Sequence, residues 1–166
     1  MNTGGDVVRK MKLYLETTVF NYYFDENREF HPDTCRLFDA IAAGEFEAYT
    51  SEYATLELQR APEPKRSDMM NLIERFGIIM LEATQEANDL AALYVHNGII
   101  PAKYRTDGEH IACASVNGLD CILSFNFQHI NKLKTKRMTE NVNLMEGYKG
   151  ITICLPMEVL DNEEAQ

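Results

Sequence analysis

Three acidic residues stand where a negative charge is costly or out of pattern. Glu16 ends the short, mainly apolar run 12–15, Glu57 lies in a mostly apolar helical pattern, and Asp107 follows Thr106 at the start of another helix. A buried carboxylate costs free energy unless a cation compensates it. Hard divalent ions prefer oxygen ligands, and Mg²⁺ takes one or two carboxylates directly. The three acids together therefore suggest a metal site.

Each acid also has an ordinary explanation. Glu16 can emerge into solvent or cap a neighbouring helix, and Glu57 can be a surface acid like Glu52. Asp107 in a first helical turn gains roughly 0.3–1 kcal/mol from the helix dipole without any function. Only the tertiary arrangement decides between these explanations and a shared site.

Strands and helices alternate along the sequence. Apolar runs predict strands at 12–15, 46–50, 78–81, 121–124 and 151–154, and helical patterns with caps predict helices from Asp33 to Gly44, Ser51 to Pro62, 64–76, 84–97, 106–117 and 156–160. This order predicts a three-layer α/β/α sandwich around a mainly parallel sheet. Ligands of such sheets bind at the carboxyl ends of the strands. Glu16 and the segment 124–126 follow the first and fourth strands, which predicts the site there.

Chain length and net charge limit the number of domains and the possible functions. The 166 residues predict one domain at 11–160, preceded by a flexible leader, 1–10, and followed by a tail, 161–166. The formal charge of -10 opposes simple electrostatic binding of nucleic acid. It does not oppose a metal-dependent nuclease, because a bound cation reverses the local field.

Cysteine usage and hydropathy predict a location. The four cysteines occur singly, without the spacing of a zinc site, which favours buried free thiols. No run reaches 18 apolar residues, and the opening residues lack the apolar stretch of a signal peptide. We therefore expect a protein of the reducing cytoplasm that does not enter a membrane.

Four segments resemble a PIN domain in order and spacing. They are 13–20 (LYLETTVF), the helix 51–60 with Glu57, 107–114 (DGEHIACA) and 122–130 (ILSFNFQHI), and the likeness extends over most of the chain from Met11 to Leu160. The resemblance implies a small ribonuclease that uses Mg²⁺ or Mn²⁺, with Glu16, Glu57 and Asp107 as the catalytic, metal-binding acids. Many bacterial relatives are VapC-type toxins, so it also implies a homodimer and a small antitoxin partner.

The sequence departs from the family pattern at two positions. The first acid is more often Asp, so Glu16 is longer by one methylene group. The fourth acid is replaced by Asn126, which can coordinate through its carbonyl oxygen or orient a water but adds no charge. Thr18, Asn126 and His129 are candidate supporting residues. His129 can contact a substrate phosphate or can be an ordinary surface or helix-capping histidine, and for His110 packing is favoured over metal binding.

Several residues are candidates for contacting RNA. Lys103 and Arg105 precede Asp107 and can engage the phosphate backbone. The basic residues of 132–137 fit a solvated face better. The aromatic residues of 20–24 can stack on bases, but packing in the core or at a dimer interface is the simpler explanation.

Two other functions compete with a ribonuclease. Asn126 and the net acidity favour a degenerate PIN-like module that binds RNA or protein without turnover, whereas the three retained acids oppose it. An unrelated α/β hydrolase is the other, but no G-x-S-x-G, P-loop or G-x-G-x-x-G motif is present in the sequence.

Overall fold

The computed structural model of this protein describes residues 9–160. The predicted tail, 161–166, and the first eight residues of the predicted leader lie outside this range. Arg9, at its start, donates from Nη2 to Asp120 Oδ1 at 2.6 Å. No helix in the described range is long and apolar enough to cross a membrane.

Five strands and seven α-helices make up the described residues, together with two short 3₁₀ turns at 102–104 and 156–159. In chain order they are β1 (Met11–Leu15), α1 (Thr17–Phe24), α2 (His31–Ala42), β2 (Phe46–Ser51), α3 (Glu52–Leu58), α4 (Lys65–Arg75), β3 (Ile79–Leu81), α5 (Gln85–His96), α6 (Arg105–Val116), β4 (Cys121–Leu123), α7 (Leu133–Met145) and β5 (Thr152–Cys154).

The five strands form one parallel sheet in the order β3-β2-β1-β4-β5. Side chains alternate across it, because successive residues of a strand point to opposite faces. Leu13 and Leu15 join one buried apolar cluster with Phe38, whereas Tyr14 joins another with Tyr94. The predicted α/β sandwich with a parallel sheet is therefore confirmed, and β1 and β4 are neighbours at its centre.

Two helices are absent from the sequence prediction. The aromatic stretch after Glu16 forms α1, and α7 occupies a segment where no element is predicted. The buried positions of α7 are Thr135, Thr139 and Asn143, at helical spacing but polar. Apolar periodicity therefore gives no signal for this helix.

Three local predictions are wrong. The apolar run 78–81 indicates a buried strand, but β3 lies at the edge of the sheet, and Ile79 and Met80 are 44% and 40% exposed. Asp33 does not cap α2, because the helix begins earlier and Asp33 falls in its first turn. The last helix, predicted at 156–160, is only a 3₁₀ turn.

Candidate functional site

The predicted acids lie on three different elements near the carboxyl end of the sheet. Glu16 joins β1 to α1, Glu57 lies in the last turn of α3, and Asp107 lies in the first turn of α6. The backbone of Glu16 is fixed by its N–H, which donates to Leu123 O in β4 at 3.1 Å. Asn126 follows β4, so the first and fourth strands bring their terminal polar residues together, as the sequence predicts.

Glu16 is held by two hydroxyl groups. Only 2% of it is exposed, and Thr18 Oγ1 and Ser124 Oγ each donate to its Oε1 at 2.6 Å. The same hydroxyls accept hydrogen bonds from the backbone, Thr18 from Phe125 N at 2.8 Å and Ser124 from Asn126 N at 2.9 Å. Glu16 is therefore not a solvent-exposed acid. It occupies the N-cap position of α1, but its side chain makes no capping hydrogen bond and is instead supported directly by Thr18.

Burial raises the pKa of Glu16 above its ordinary value, although the nearby charge of His110 and the two hydroxyl groups oppose the shift. The carboxylate of Glu57 adds to the rise. In the described range, no Lys or Arg forms an ion pair with Glu16. An ionised Glu16 therefore lacks a direct cationic partner from the described part of the chain.

Glu57 has a different environment. Its side chain is 29% exposed, and its Oε1 accepts hydrogen bonds from His110 Nε2 and from Thr17 Oγ1, the latter at 3.1 Å. Burial alone would raise the pKa of Glu57, but the hydrogen bond and charge of His110 outweigh it and lower the pKa. Glu57 is thus an ionised acid with a fixed oxygen.

His110 is completely buried beneath the acids. Burial lowers the pKa of a histidine, but here the hydrogen bond to Glu57 and the charges of Glu57, Glu16 and Asp107 together raise it. The prediction that His110 packs in the core is correct for its position. It omits the hydrogen bond by which His110 joins the acidic cluster.

Asp107 is partly buried in α6 and belongs to the same electrostatic group. Burial raises its pKa, the charge of His110 and the side chain of Asn126 oppose this, and the charge of Glu57 adds to it. Because Asp107 interacts with Asn126, His110 and Glu57, its position at the start of α6 is not explained by the helix dipole alone. Glu16 and Asp107 thus each lie within electrostatic reach of Glu57 and His110.

Asn126 and His129 form a turn beside Asp107. Asn126 Oδ1 accepts a hydrogen bond from His129 N at 3.0 Å, so the carbonyl oxygen expected to bind a metal already has a partner. His129 is only 8% exposed, and its ring stacks on Tyr104 at 4.2 Å between centroids. It is neither a surface histidine nor a helix cap. Its Nε2 is buried and has no hydrogen-bond partner within residues 9–160.

The basic residues expected to bind RNA are exposed. Lys103 lies over the ring of Tyr104, with Nζ 5.7 Å from its centroid. Arg105 forms an ion pair with Glu109 at 3.2 Å and also donates to Asn88 O. Both lie immediately before Asp107 in the chain.

The aromatic residues of α1 mainly pack, as the simpler explanation predicts. Phe20 is completely buried, Tyr22 stacks on Phe125 at 3.9 Å, and Tyr23 packs edge-on against Phe38 at 4.8 Å. Phe24 is 39% exposed.

Sequence reasoning missed four residues of this site. Ser124 donates to Glu16, Thr17 donates to Glu57, Tyr14 contacts His110, and Ser51 contacts Tyr14. The place of Ser124 directly after a central strand was a usable signal. Tyr14 and Ser51 carry none, because a tyrosine in a strand and a serine before a helix have ordinary structural roles.

The donor set suits a hard divalent ion. It consists of carboxylate oxygens, and the Oε2 atoms of Glu16 and Glu57 accept no hydrogen bond from the described residues. As the side chains stand, no group of three His, Cys, Asp or Glu residues within 9–160 is arranged to hold one metal ion. Mg²⁺ keeps several waters and needs only one or two carboxylates, so the oxygen chemistry fits such an ion without a closed cage.

We expect the Glu16→Gln variant to be more stable than the wild type at about pH 7 in EDTA, by about 1 kcal/mol, which is typical when a strained functional residue is replaced. The raised pKa means that ionising Glu16 costs more in the folded than in the unfolded chain. Stability present when Glu16 is protonated is therefore lost as the pH rises through its folded pKa. Gln retains an oxygen for Thr18 and Ser124.

Urea unfolding at about pH 7 and about pH 4 measures this effect, and the advantage of the variant should shrink at the lower pH, where the wild-type residue becomes protonated. A variant less stable than the wild type at about pH 7 would contradict the interpretation of Glu16 as a buried charge without a cationic partner.

The described fold is similar to two solved structures. VapC20 of Mycobacterium tuberculosis, a toxin that cleaves the sarcin-ricin loop, aligns with a TM-score of 0.53 and 11% identity over 84% of this chain and 98% of that one. VapBC2 from Rickettsia felis, in a structure with a DNA fragment from its promoter, aligns with a TM-score of 0.54 and 12% identity over 86% of this chain and 97% of that one. No family model and no curated protein matches this chain. At such identities the similarity establishes the fold.

Proposed function

We propose that this chain, which has the PIN fold of VapC toxins, is a ribonuclease that uses Mg²⁺ or Mn²⁺ to hydrolyse phosphodiester bonds in RNA. The observation that carries the proposal is that Glu16 and Asp107, beyond the carboxyl ends of the central strands, each interact electrostatically with Glu57 and with the buried His110. Ligands of parallel sheets bind at this edge.

The side chains have separate roles in this proposal. Glu16, Glu57 and Asp107 hold the ion, Thr18 and Ser124 fix the orientation of Glu16, and Asn126 orients Asp107. A bound divalent ion supplies charge stabilisation at the phosphate and lowers the pKa of a coordinated water. Because Asn126 Oδ1 accepts from His129 N, we assign Asn126 to positioning rather than to metal binding.

RNA approaches the cluster past Lys103 and Arg105. Both are exposed and precede Asp107, and cationic side chains compensate the repulsion between a polyanion and a chain of formal charge -10. We further propose that the protein is the toxin of a toxin–antitoxin pair, forms a homodimer, works in the cytoplasm and is neutralised by a small antitoxin. The similarity of its fold to VapC20 and to VapBC2 supports this part of the proposal.

Incubating the purified protein with a mixed pool of structured RNAs and Mg²⁺, Mn²⁺ or EDTA tests the activity. We expect cleavage with either ion and none in EDTA, because the carboxylates bind RNA phosphate only through a cation. Cleavage that persists in EDTA would contradict a metal-dependent mechanism.

A second candidate function is a PIN-like module that binds RNA or protein without turnover. Two observations favour it. Asn126 is neutral, and no group of three His, Cys, Asp or Glu residues in the described range is arranged to hold a metal ion. RNA that stays intact with every ion, together with no heat of Mn²⁺ binding in calorimetry, would replace the ribonuclease proposal with this one.

A further inference from the structure

A series of hydrogen bonds between buried side chains connects the sheet to Glu57. Ser51 Oγ and Tyr14 Oη are 2.6 Å apart, Tyr14 Oη and His110 Nδ1 are also 2.6 Å apart, and His110 Nε2 donates to Glu57 Oε1. Ser51, Tyr14 and His110 are completely buried. They belong to β2, β1 and α6, so three elements fix one hydrogen bond to the carboxylate of α3.

The contacts fix the orientation of the imidazole ring of His110. An ionised carboxylate only accepts hydrogen bonds, so Nε2 carries the hydrogen that Glu57 accepts. Turning the ring over would place carbon atoms against both Glu57 and Tyr14, and both hydrogen bonds would be lost. Tyr14 therefore determines where the donor of His110 points, although it does not touch Glu57.

The side chain of Ser51 is independent evidence that this series of hydrogen bonds does more than fill the core. It is the N-cap residue of α3 with the extended backbone of that position, yet its side chain makes no capping hydrogen bond. A serine at this position typically stabilises the helix by accepting a hydrogen bond from a backbone N–H of the first turn. Here the hydroxyl contacts Tyr14 instead, so helix α3 forgoes that stabilisation while the anchor of His110 is kept.

We propose that His110 and Tyr14 are positioning residues that hold Glu57 in the orientation in which it binds Mg²⁺ or Mn²⁺. This inference rests on the proposed function. His110 and Thr17 both bond to Oε1 of Glu57, and Oε2 has no hydrogen-bond partner among the described residues, so one oxygen is anchored and the other remains for the ion. Ordering a free glutamate side chain costs conformational entropy, and the anchored oxygen removes part of this cost before the metal binds.

Calorimetric titration of Mn²⁺ into matched variants tests the inference. His110→Leu removes the donor to Glu57, Tyr14→Phe removes only the hydroxyl behind it, and His110→Gln retains an amide donor in place of Nε2. Losing a partner that orients a metal ligand typically weakens metal binding 10- to 100-fold. We expect losses in about this range for His110→Leu and Tyr14→Phe, and a substantially smaller one for His110→Gln.

Tyr94→Phe is the control for the loss of a buried tyrosine hydroxyl. Tyr94 is also completely buried and donates to Asn143 Oδ1, in a network with Ser115 that contains none of the three acids. Its removal should lower the free energy of unfolding, measured in urea, without changing Mn²⁺ affinity. A merely structural role of Tyr14 predicts the same result for both tyrosine variants.

The outcomes separate the inference from the function on which it rests. If the wild type binds Mn²⁺ and Tyr14→Phe binds it as tightly as Tyr94→Phe does, the positioning role is overturned and the ribonuclease proposal stands. If the wild type binds no Mn²⁺, both are overturned. Should the His110 variants fail to fold, the comparison of the two tyrosine variants still decides.

Discussion

The Glu16→Gln, Asp107→Asn double variant should lose metal-dependent RNA cleavage by about a thousandfold. Removing two of the three carboxylates takes away most of the negative charge that holds the ion, and a bound metal supplies several kcal/mol of transition-state stabilisation. Both substitutions keep an oxygen at each site, so hydrogen bonds such as those from Thr18 and Ser124 to residue 16 can persist.

Initial cleavage rates at saturating Mn²⁺ measure this loss. The control is an Asp39→Asn, Glu140→Gln variant, which removes the same charge from exposed positions on α2 and α7 and should cleave RNA at the wild-type rate. A double variant that still cleaves at a tenth of the wild-type rate or faster would place the catalytic site elsewhere.

Asn126→Asp should raise Mn²⁺ affinity about tenfold, because a carboxylate binds a hard cation more strongly than an amide does. One oxygen of the new residue can still accept from His129 N, and the other replaces the amide nitrogen near Asp107. In EDTA the two carboxylates repel each other, so the variant should also unfold at a lower urea concentration than the wild type.

Calorimetry with Mn²⁺ and urea unfolding in EDTA measure the two effects on the same protein. Asn141→Asp, which adds one negative charge on the exposed part of α7, is the matched control and should change neither quantity appreciably. Unchanged or weaker Mn²⁺ binding by Asn126→Asp would mean that position 126 lies outside the reach of the ion.

The two variants test different parts of the proposed metal site. The double variant tests whether Glu16 and Asp107 are necessary for metal-dependent RNA cleavage. Asn126→Asp tests whether the neutral residue weakens metal binding. The resemblance to the PIN pattern, which has an acid at this position, implies that it does. A large loss in the first and a gain in the second would describe a working site that holds its metal weakly.

The sequence alone determined the order of the five strands and the neighbourhood of the site. Apolar runs followed by polar residues located β1 and β4, and the alternation with helices implied a parallel sheet, which places Glu16 and Asn126 at one edge. Asp107 was located correctly in the first turn of its helix. These features are local, because turn and cap residues and hydrophobic periodicity depend on near neighbours in the chain.

Only the tertiary structure decided which side chains hold the acids. Tyr14 and His110 are 96 residues apart in the chain, and Thr18 and Phe125 are 107 apart, so no local pattern records their hydrogen bonds. Two of the three buried polar side chains of α7 have partners outside the helix: Thr135 donates to His129 O, and Asn143 bonds to Ser115 and Tyr94. The third, Thr139, has no partner for its Oγ1 among the described residues. Burial of polar groups depends on partners that folding supplies, and for that reason periodicity in the sequence could not reveal this helix.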